Sequence, residues 1–327
     1  MDDYITLEAN EVFKGNENQI ILTGRYNGLF RISTNFKFDE NAPVIRNLHT
    51  IGGETEMEAG FIIQKIQHHF IFDSCSTSGE IKGQWSGGIC GSRCSGNILI
   101  TKCWSSGDMS VGTDAGGIAG AAVGFNGNFL NTKVQKTHCH STGAIGDLGG
   151  GICGEGAGQN GHLVITHSYS MGKIGRPGSG GICGWGAGHR DGLVKIEHCY
   201  SEGEVANEGC GGIVGNAAGI SDGTVHITNL YSRGDITSLN AGGIAGALLG
   251  TQGGTVFITN VYVSGENTGD SAGGIISQIF SDAKEVSITM SVYNGEPSVG
   301  RNQAAKGVFS NEKNSGNLDE IDGTVYC

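Results

Sequence analysis

The sequence predicts an all-β protein, a single-chain parallel β-helix of about nine coils of roughly 30 residues each. A Gly-Gly-Ile motif recurs at a nearly fixed interval, and glycine separates short segments of strand character. No window shows a glycine-free apolar repeat of 3.6 residues, which excludes helical repeats. The isoleucine of the motif occurs at intervals of 29 to 34 residues, at Ile89, Ile118, Ile152, Ile182, Ile213, Ile244 and Ile275.

The composition fits a folded repeat protein and limits its partners. The 60 glycines, with only 3 prolines, do not follow the every-third-residue pattern of collagen, and a hydrophobic fraction of 37% argues against disorder. A net charge of −12 with 20 Lys and Arg residues argues against an extended phosphate-binding surface. We therefore expect neither nucleic acid nor an anionic membrane as a partner.

The N-terminus reads Met1-Asp2-Asp3, unlike the basic and then apolar start of a secretion signal, and no apolar run approaches the length of a bilayer span. We expect a soluble protein without a secretion signal or membrane insertion. Most of the 10 cysteines occupy repeat positions where other coils place Ala, Val, Leu or Ile. They are predicted to be small buried side chains in a reducing compartment, although in an oxidising one they could pair between coils.

The chain divides into three parts. Residues 1–43 do not follow the repeat and are predicted to form an N-terminal cap, with short strands at 19–23 and 28–32. Residues 44–310 are predicted to form the β-helix, because 45–52 align with 227–234 and 306–309 resemble a last, degraded copy. Residues 311–327 are polar and off the pattern, and we interpret them as a C-terminal tail or cap.

Stacking in register places equivalent residues above one another, so the alignment of the repeats predicts columns of side chains. Two columns contain mostly small apolar residues and are predicted to face the interior. The first, in the Gly-Gly-Ile segment, consists of Cys90, Ala119, Cys153, Cys183, Val214, Ala245 and Ile276. The second consists of Leu48, Cys75, Cys103, Cys139, Ser168, Cys199, Leu230, Val261 and Val292.

Two further columns flank the second interior column. The preceding position is polar and is predicted to lie at a strand break, where an amide or imidazole can hydrogen-bond a neighbouring backbone group. This polar column consists of Asn47, Ser74, Lys102, His138, His167, His198, Asn229, Asn260 and Ser291. The following position predicts an aromatic stack of Tyr169, Tyr200, Tyr231, Tyr262 and Tyr293.

The pattern Gly-Gly-Ile-x-Gly, then a loop, then Ile-x-Asn-x-Tyr-Ser-x-Gly resembles the GLUG-type glycine-rich repeat of bacterial surface and adhesin-like proteins. It also resembles the β-helical repeat proteins of Marseillevirus-type giant viruses. The resemblance covers roughly residues 45–310. It implies a right-handed parallel β-helix associated with surfaces or virions, with no catalytic residues to carry over. Since the chain lacks a secretion signal, we expect an intracellular or virion-associated protein.

Three histidines of the polar column form the first candidate site. His138, His167 and His198 lie on successive coils, about 5 Å apart per coil, which is close enough for two imidazoles to share a zinc ion. The alternative is that they replace asparagine in a hydrogen-bonded column that holds no metal.

An acidic column at the residue after each repeat glycine forms the second candidate site. Three interpretations stay open: exposed charge, cation binding, and a glycosidic acid–base pair, whose carboxyl groups stand about 5 to 9.5 Å apart. Glu204, Asp235 and Glu266 are the candidate cation ligands. The column consists of Glu80, Asp108, Ala144, Lys173, Glu204, Asp235, Glu266 and Glu296.

Smaller features receive structural interpretations. The G-x-G spacing at 154–158 and 184–188 is that of a nucleotide-binding turn, but it recurs with the repeat and no long helix follows, so we interpret these as turn glycines. The ionisable residues at 188–192 beside Trp185 are interpreted as a solvated turn. Three cysteines outside the interior columns are candidates for reactive or intermolecular thiols: Cys94, Cys210 and Cys327.

Together these observations favour a structural or protein-interaction β-helix that binds other proteins and needs neither a cofactor nor catalytic residues. The runner-up is a β-helix that binds or cleaves carbohydrate, with a glycan as its ligand. A third class is an adhesin-like surface protein.

Overall fold

The structure, a computed structural model, describes residues 5–7, 11–16, 18–32, 42–67, 69–109, 111–125, 133–279 and 282–294. Within these residues the regular secondary structure consists of twenty short strands, and no helix there has the length and apolar character that crossing a bilayer requires. The strands are β1 (Ile5–Leu7), β2 (Val12–Lys14), β3 (Gln19–Tyr26), β4 (Phe30–Ile32), β5 (Val44–Arg46), β6 (His49–Thr55), β7 (Phe70–Asp73), β8 (Ser76–Thr77), β9 (Ile98–Thr101), β10 (Trp104–Ser105), β11 (Lys133–Thr137), β12 (His140–Ser141), β13 (His162–Thr166), β14 (Tyr169–Ser170), β15 (Leu193–Glu197), β16 (Tyr200–Ser201), β17 (Thr224–Ser232), β18 (Thr255–Val263), β19 (Glu285–Thr289) and β20 (Val292–Tyr293).

Each strand of the repeat region pairs in parallel with its counterpart one coil further along the chain. Ile196 of β15 is in register with Ile227 of β17, which is in register with Ile258 of β18. From β5 to β20 the strands form nine coils, each about 30 residues from the next. This arrangement confirms the predicted parallel β-helix.

The N-terminal segment adds strands to the same stack. The strands predicted at 19–23 and 28–32 correspond to β3 and β4, and β3 pairs in parallel with β6. Strand β2 pairs in parallel with β5, and Phe30 bridges to Ile63. The described part of the segment therefore extends the stack by one coil. The predicted tail at 311–327 lies outside the described residues.

The glycine pair of each motif brings neighbouring coils into close contact. A Cβ atom on Gly180 would collide with the carbonyl oxygen of Cys183, and one on Gly181 would collide with that of Gly212. Single parallel bridges join Gly180 to Gly211 and Cys183 to Val214. These positions require glycine because the backbone of the next coil occupies the space of a side chain.

The interior contains the predicted columns. The first interior column is joined by successive bridges from Cys90 to Ile276, as the alignment predicted. The motif isoleucines lie beside it, and all of them are at most 1% exposed. The second interior column is buried from Leu48 to Val261. Side-chain identity at fixed repeat positions therefore predicted the core through most of the stack.

The last coil corrects the prediction for residues 291–293. Val292, not Tyr293, is in register with Tyr262, and Tyr293 is in register with the buried Val263. The cause is a spacing of 30 residues, set by Ile258 opposite Ile288, instead of 31. Tyr293 therefore faces the interior, and Ser291 and Met290 occupy the second interior and polar columns. A shift of one residue exchanges the two faces of a strand.

Candidate functional site

The polar column adopts a left-handed backbone conformation, which explains its composition better than hydrogen bonding alone. Asparagine and other short polar residues tolerate positive φ best. One such residue per coil interrupts the strand, so that the next residue points inward and the one after it points outward. The φ angles are 50° at Asn47, 57° at Ser74, 52° at Lys102, 55° at His138, 49° at His167, 53° at His198, 57° at Asn229, 52° at Asn260 and 47° at Met290.

The three histidines of this column stack face to face. Ring centroids are 5.0 Å apart between His138 and His167 and 5.1 Å between His167 and His198, with interplanar angles of 9° and 22°. Two nitrogens bound to one zinc ion are at most about 4.2 Å apart and converge on it. Nearly parallel rings 5 Å apart do not converge. Among the described residues, no group of three or more His, Cys, Asp or Glu side chains is placed to hold a metal ion.

The outward position two residues further on carries the most extended feature of the surface. We call it the ring ladder and define it as Trp104, His140, Tyr169, Tyr200 and Tyr231. From Trp104 onward the successive centroid distances are 6.0, 4.7, 4.6 and 4.7 Å, and no interplanar angle exceeds 9°. Tyr262 continues the column in register and is 41% exposed.

The ring ladder is longer than the sequence predicted. The predicted stack is confirmed from Tyr169 to Tyr231, but it also includes His140 and Trp104, which a search for tyrosine alone misses. Burial lowers the pKa of His140, so the imidazole is neutral at neutral pH and stacks without charge. The Arg233 guanidinium lies 4.7 Å from the centre of the Tyr231 ring, a cation–π contact near the far end.

The acidic column consists of carboxylates that are paired with protein groups. Lys173 Nζ lies 2.8 Å from Glu204 Oε2, and Thr237 Oγ1 donates to Glu204 Oε1 at 3.1 Å. The hydrogen bond from Lys173 lowers the pKa of Glu204, whereas a general acid needs a raised pKa. Asp235 Oδ1 accepts a hydrogen bond from the backbone N–H of Glu266 at 2.9 Å. The described members therefore do not converge on a common centre, and Glu296 lies outside the described residues.

A pair of carboxyl groups that sequence reasoning missed lies on another face. Burial, followed by the nearby charge of Asp114 and a hydrogen bond to it, raises the pKa of Glu155 to about 7. Asp114 is 5% exposed and accepts a hydrogen bond from Gln84 Nε2 at 3.1 Å. Asp114 precedes its Gly-Gly-Ile motif and Glu155 follows the next one. They occupy different repeat positions, so no column of the alignment joins them.

We expect Glu155→Gln to remove a pH dependence of stability. A carboxyl whose folded-state pKa is raised stabilises the fold fully below its unfolded value of 4.5, and that contribution is lost as the pH rises through about 7. Denaturation of wild type and variant from pH 4 to 8 should show the variant gaining relative stability between pH 4.5 and 7. After allowance for solvent screening, the gain above pH 7 should be about 1 to 2 kcal/mol. Glu266→Gln, at an exposed carboxylate, is the control, and parallel curves for wild type and Glu155→Gln would contradict the shared proton.

The interior contains one lysine that sequence reasoning also missed. Lys136 of β11 is in register with Ile100 and Ile165, and its side chain is fully buried. Its Nζ atom lies 2.9 Å from Cys153 Sγ. The signal was present in the sequence, since every other coil has an apolar residue at this position: Ile45, Phe72, Ile100, Ile165, Ile196, Ile227, Ile258 and Ile288.

Lys136 and Cys153 form a buried charge pair. Burial alone would raise the pKa of the Cys153 thiol, but a hydrogen bond with Cys183 and the charge and hydrogen bond of Lys136 lower it to about 7. The pKa of Lys136 is raised against the effect of burial by the sulfurs of Cys153 and Cys90. The ammonium group thus has a thiolate partner in the core, as a buried charge requires.

The nine described cysteines are all free and buried. This confirms the cysteines of the interior columns as buried thiols, but it corrects the prediction for Cys94 and Cys210, which are as inaccessible as the rest. Cys94 Sγ donates to the carbonyl oxygen of Gly91, and Cys210 Sγ donates to that of Arg176. Both pack under turns of the coil, and Cys327 lies outside the described residues.

The glycine-rich turns show backbone conformations that favour glycine. Gly156 and Gly158 have φ angles of 62° and 77°, and Gly186 and Gly188 have 65° and 78°. In the neighbouring turn, the His189 ring makes an edge contact with Trp185 at 5.6 Å. The geometry is that of repeated turns.

The fold and these features define the chain as a parallel β-helix that carries a ladder of aromatic rings on its surface and one charge pair in its core. Comparison with known proteins finds no family model, no curated protein and no solved structure that matches the chain.

Proposed function

We propose that this chain is a non-catalytic β-helix that binds a protein partner along the ring ladder. The observation that carries the proposal is the run of five stacked rings on successive coils, open to solvent along one side. Tyrosine and tryptophan dominate the energetic centres of protein interfaces, because a large rigid ring with a polar tip is buried at a low cost in conformational entropy.

The outward position of the rings supports a role beyond folding. The core of each coil is filled by the isoleucine and cysteine columns, and Ser76 and Val292 occupy the same outward position in other coils. A ring is therefore not needed there for a coil to stack. Repeat proteins commonly bind partners along extended surfaces of this kind.

Photo-cross-linking tests the proposal. A benzoylphenylalanine placed at Tyr200 should capture a discrete protein, whereas the same group at Leu239, which is 44% exposed on a turn, should not. Because the repeat resembles that of giant-virus proteins, structural components of a virus particle are the first partners to examine. The captured protein, once purified, should bind wild type at least ten times more tightly than a Tyr200→Ser/Tyr231→Ser variant, a difference of about 1.4 kcal/mol.

Leu239→Ser is the matched control and should bind like wild type. Equal capture at both positions, or equal affinity for the double variant, would exclude the ring ladder as the binding surface. Circular dichroism and melting of the double variant separate loss of binding from loss of fold.

A further inference from the structure

A polar groove lies at the end of the ring ladder, beyond Trp104. It has a volume of about 570 Å³, within the range of small-molecule sites. Gln19, Asn47, His49, Ser74, Ser76, Ser78 and Trp104 contribute to its lining. It is separated by several coils from Tyr200 and Tyr231, so its function does not depend on the partner proposed for the ring ladder.

The groove exists because the ladder lacks a ring in one coil. Ser76 is in register with Trp104 on one side and with His49 on the other. The small serine side chain is buried at the base of the groove, and its Oγ lies 2.7 Å from His49 Nδ1. One side of the Trp104 indole stacks on His140, and the side chain, 38% exposed, borders the groove at the position where the next ring would stack.

The chemistry of the lining selects a neutral, hydroxylated ligand. Around the indole lie the hydroxyl groups of Ser74 and Ser78, the amides of Asn47 and Gln19 and the imidazole of His49, and the lining contains no carboxylate, ammonium or guanidinium group. A charged ligand would lose its hydration without gaining a counter-charge. An apolar ligand would cover these polar groups and leave them without hydrogen bonds.

We propose that this groove binds a pyranose ring of a neutral saccharide. The apolar C–H face of the sugar would stack on Trp104, and its hydroxyl groups would exchange hydrogen bonds with the serine, amide and imidazole groups. Because one sugar ring makes one stacking contact and a few hydrogen bonds, a monosaccharide should bind with a Kd on the order of 1 mM. A longer glycan presented at high density should bind more tightly through multiple contacts.

The test begins with the whole chain on a microarray that carries neutral and acidic glycans. Methyl glycosides of glucose, galactose, mannose and N-acetylglucosamine are then titrated while tryptophan fluorescence is recorded. We expect binding to neutral pyranosides. Trp104→Ala should weaken this binding at least tenfold, while Trp185→Phe, at a tryptophan outside the groove lining, should leave it unchanged.

Ser76→Tyr is the decisive variant, because it adds the missing ring and fills the groove. Stacking between His49 and Trp104 should keep the melting temperature equal to or above that of wild type, while saccharide binding is lost. Retained binding in Ser76→Tyr would overturn the proposal. So would a preference for acidic glycans, or no binding of any neutral pyranoside on the array or in titrations to roughly ten times the expected Kd. Selective capture of a peptide aromatic side chain in the groove would also overturn it.

Discussion

Cys153→Ala is expected to destabilise the protein by about 3 to 5 kcal/mol, because it removes the thiolate that balances the buried ammonium group of Lys136. Lost burial alone accounts for only about 1 to 2 kcal/mol. Cys183→Ala, one coil further along the same interior column, is the matched control and should cost only that smaller amount. The measurement is the free energy of unfolding in denaturant, with a reductant present throughout.

A second substitution separates charge from packing in this result. Lys136→Ile gives the coil the residue that its neighbours have, and it should restore most of the stability of Cys153→Ala, since the remaining core is then neutral. Equal losses for Cys153→Ala and Cys183→Ala, or no rescue by Lys136→Ile, would show that the pair contributes only packing.

The same pair should appear in the pH dependence of stability. The folded-state pKa of Cys153 is depressed from 9.0 to about 7, so its contribution is present above pH 9 and is lost as the pH falls through 7. Wild type should therefore gain stability from pH 7 to 9 relative to the Cys153→Ala/Lys136→Ile variant.

Ile213→Asp is expected to prevent folding or to lower stability by several kcal/mol, because it places an unpaired carboxylate in the core. Ile213 is fully buried, and its backbone hydrogen-bonds to Ile182 in one neighbouring coil and to Ile244 in the other. The variant also tests the register of the whole stack. Leu239→Asp, at an exposed position, is the control and should change stability by less than about 0.5 kcal/mol. A soluble Ile213→Asp protein with wild-type melting would contradict the register.

Most of the fold could be predicted because the repeat carries the same information many times. The Gly-Gly-Ile spacing determines which backbones touch, and the bridge from Cys153 to Cys183 is the one that the alignment predicts. The prediction failed at residues 291–293, where a single coil is one residue shorter. A period read by averaging cannot detect that difference, although it exchanges a surface tyrosine for a core one.

The candidate sites were less predictable, for two physical reasons. Lys136 was missed because glycine and cysteine, not the strand isoleucines, guided the alignment, so a charged residue in an apolar column passed unnoticed. The pair of Asp114 and Glu155 was missed because different repeat positions of adjacent coils meet in the turns, where Glu155 N donates to the carbonyl oxygen of Asp114. Columns describe contacts between equivalent positions only. The Ser76 gap in the ring ladder required knowing that Trp104 and His140 belong to the ladder.

The ring ladder also has a consequence for how such a protein can change during evolution. Each ring contacts only the rings of adjacent coils, so duplication of one 31-residue unit would lengthen the ladder by one ring and the rod by about 4.8 Å. The core would need no redesign, because the inserted unit brings its own isoleucine and glycine residues. Copy number could therefore adjust the length of the recognition surface. The spacing inside a unit is far less free, since the last coil shows that one missing residue turns a surface ring into the core.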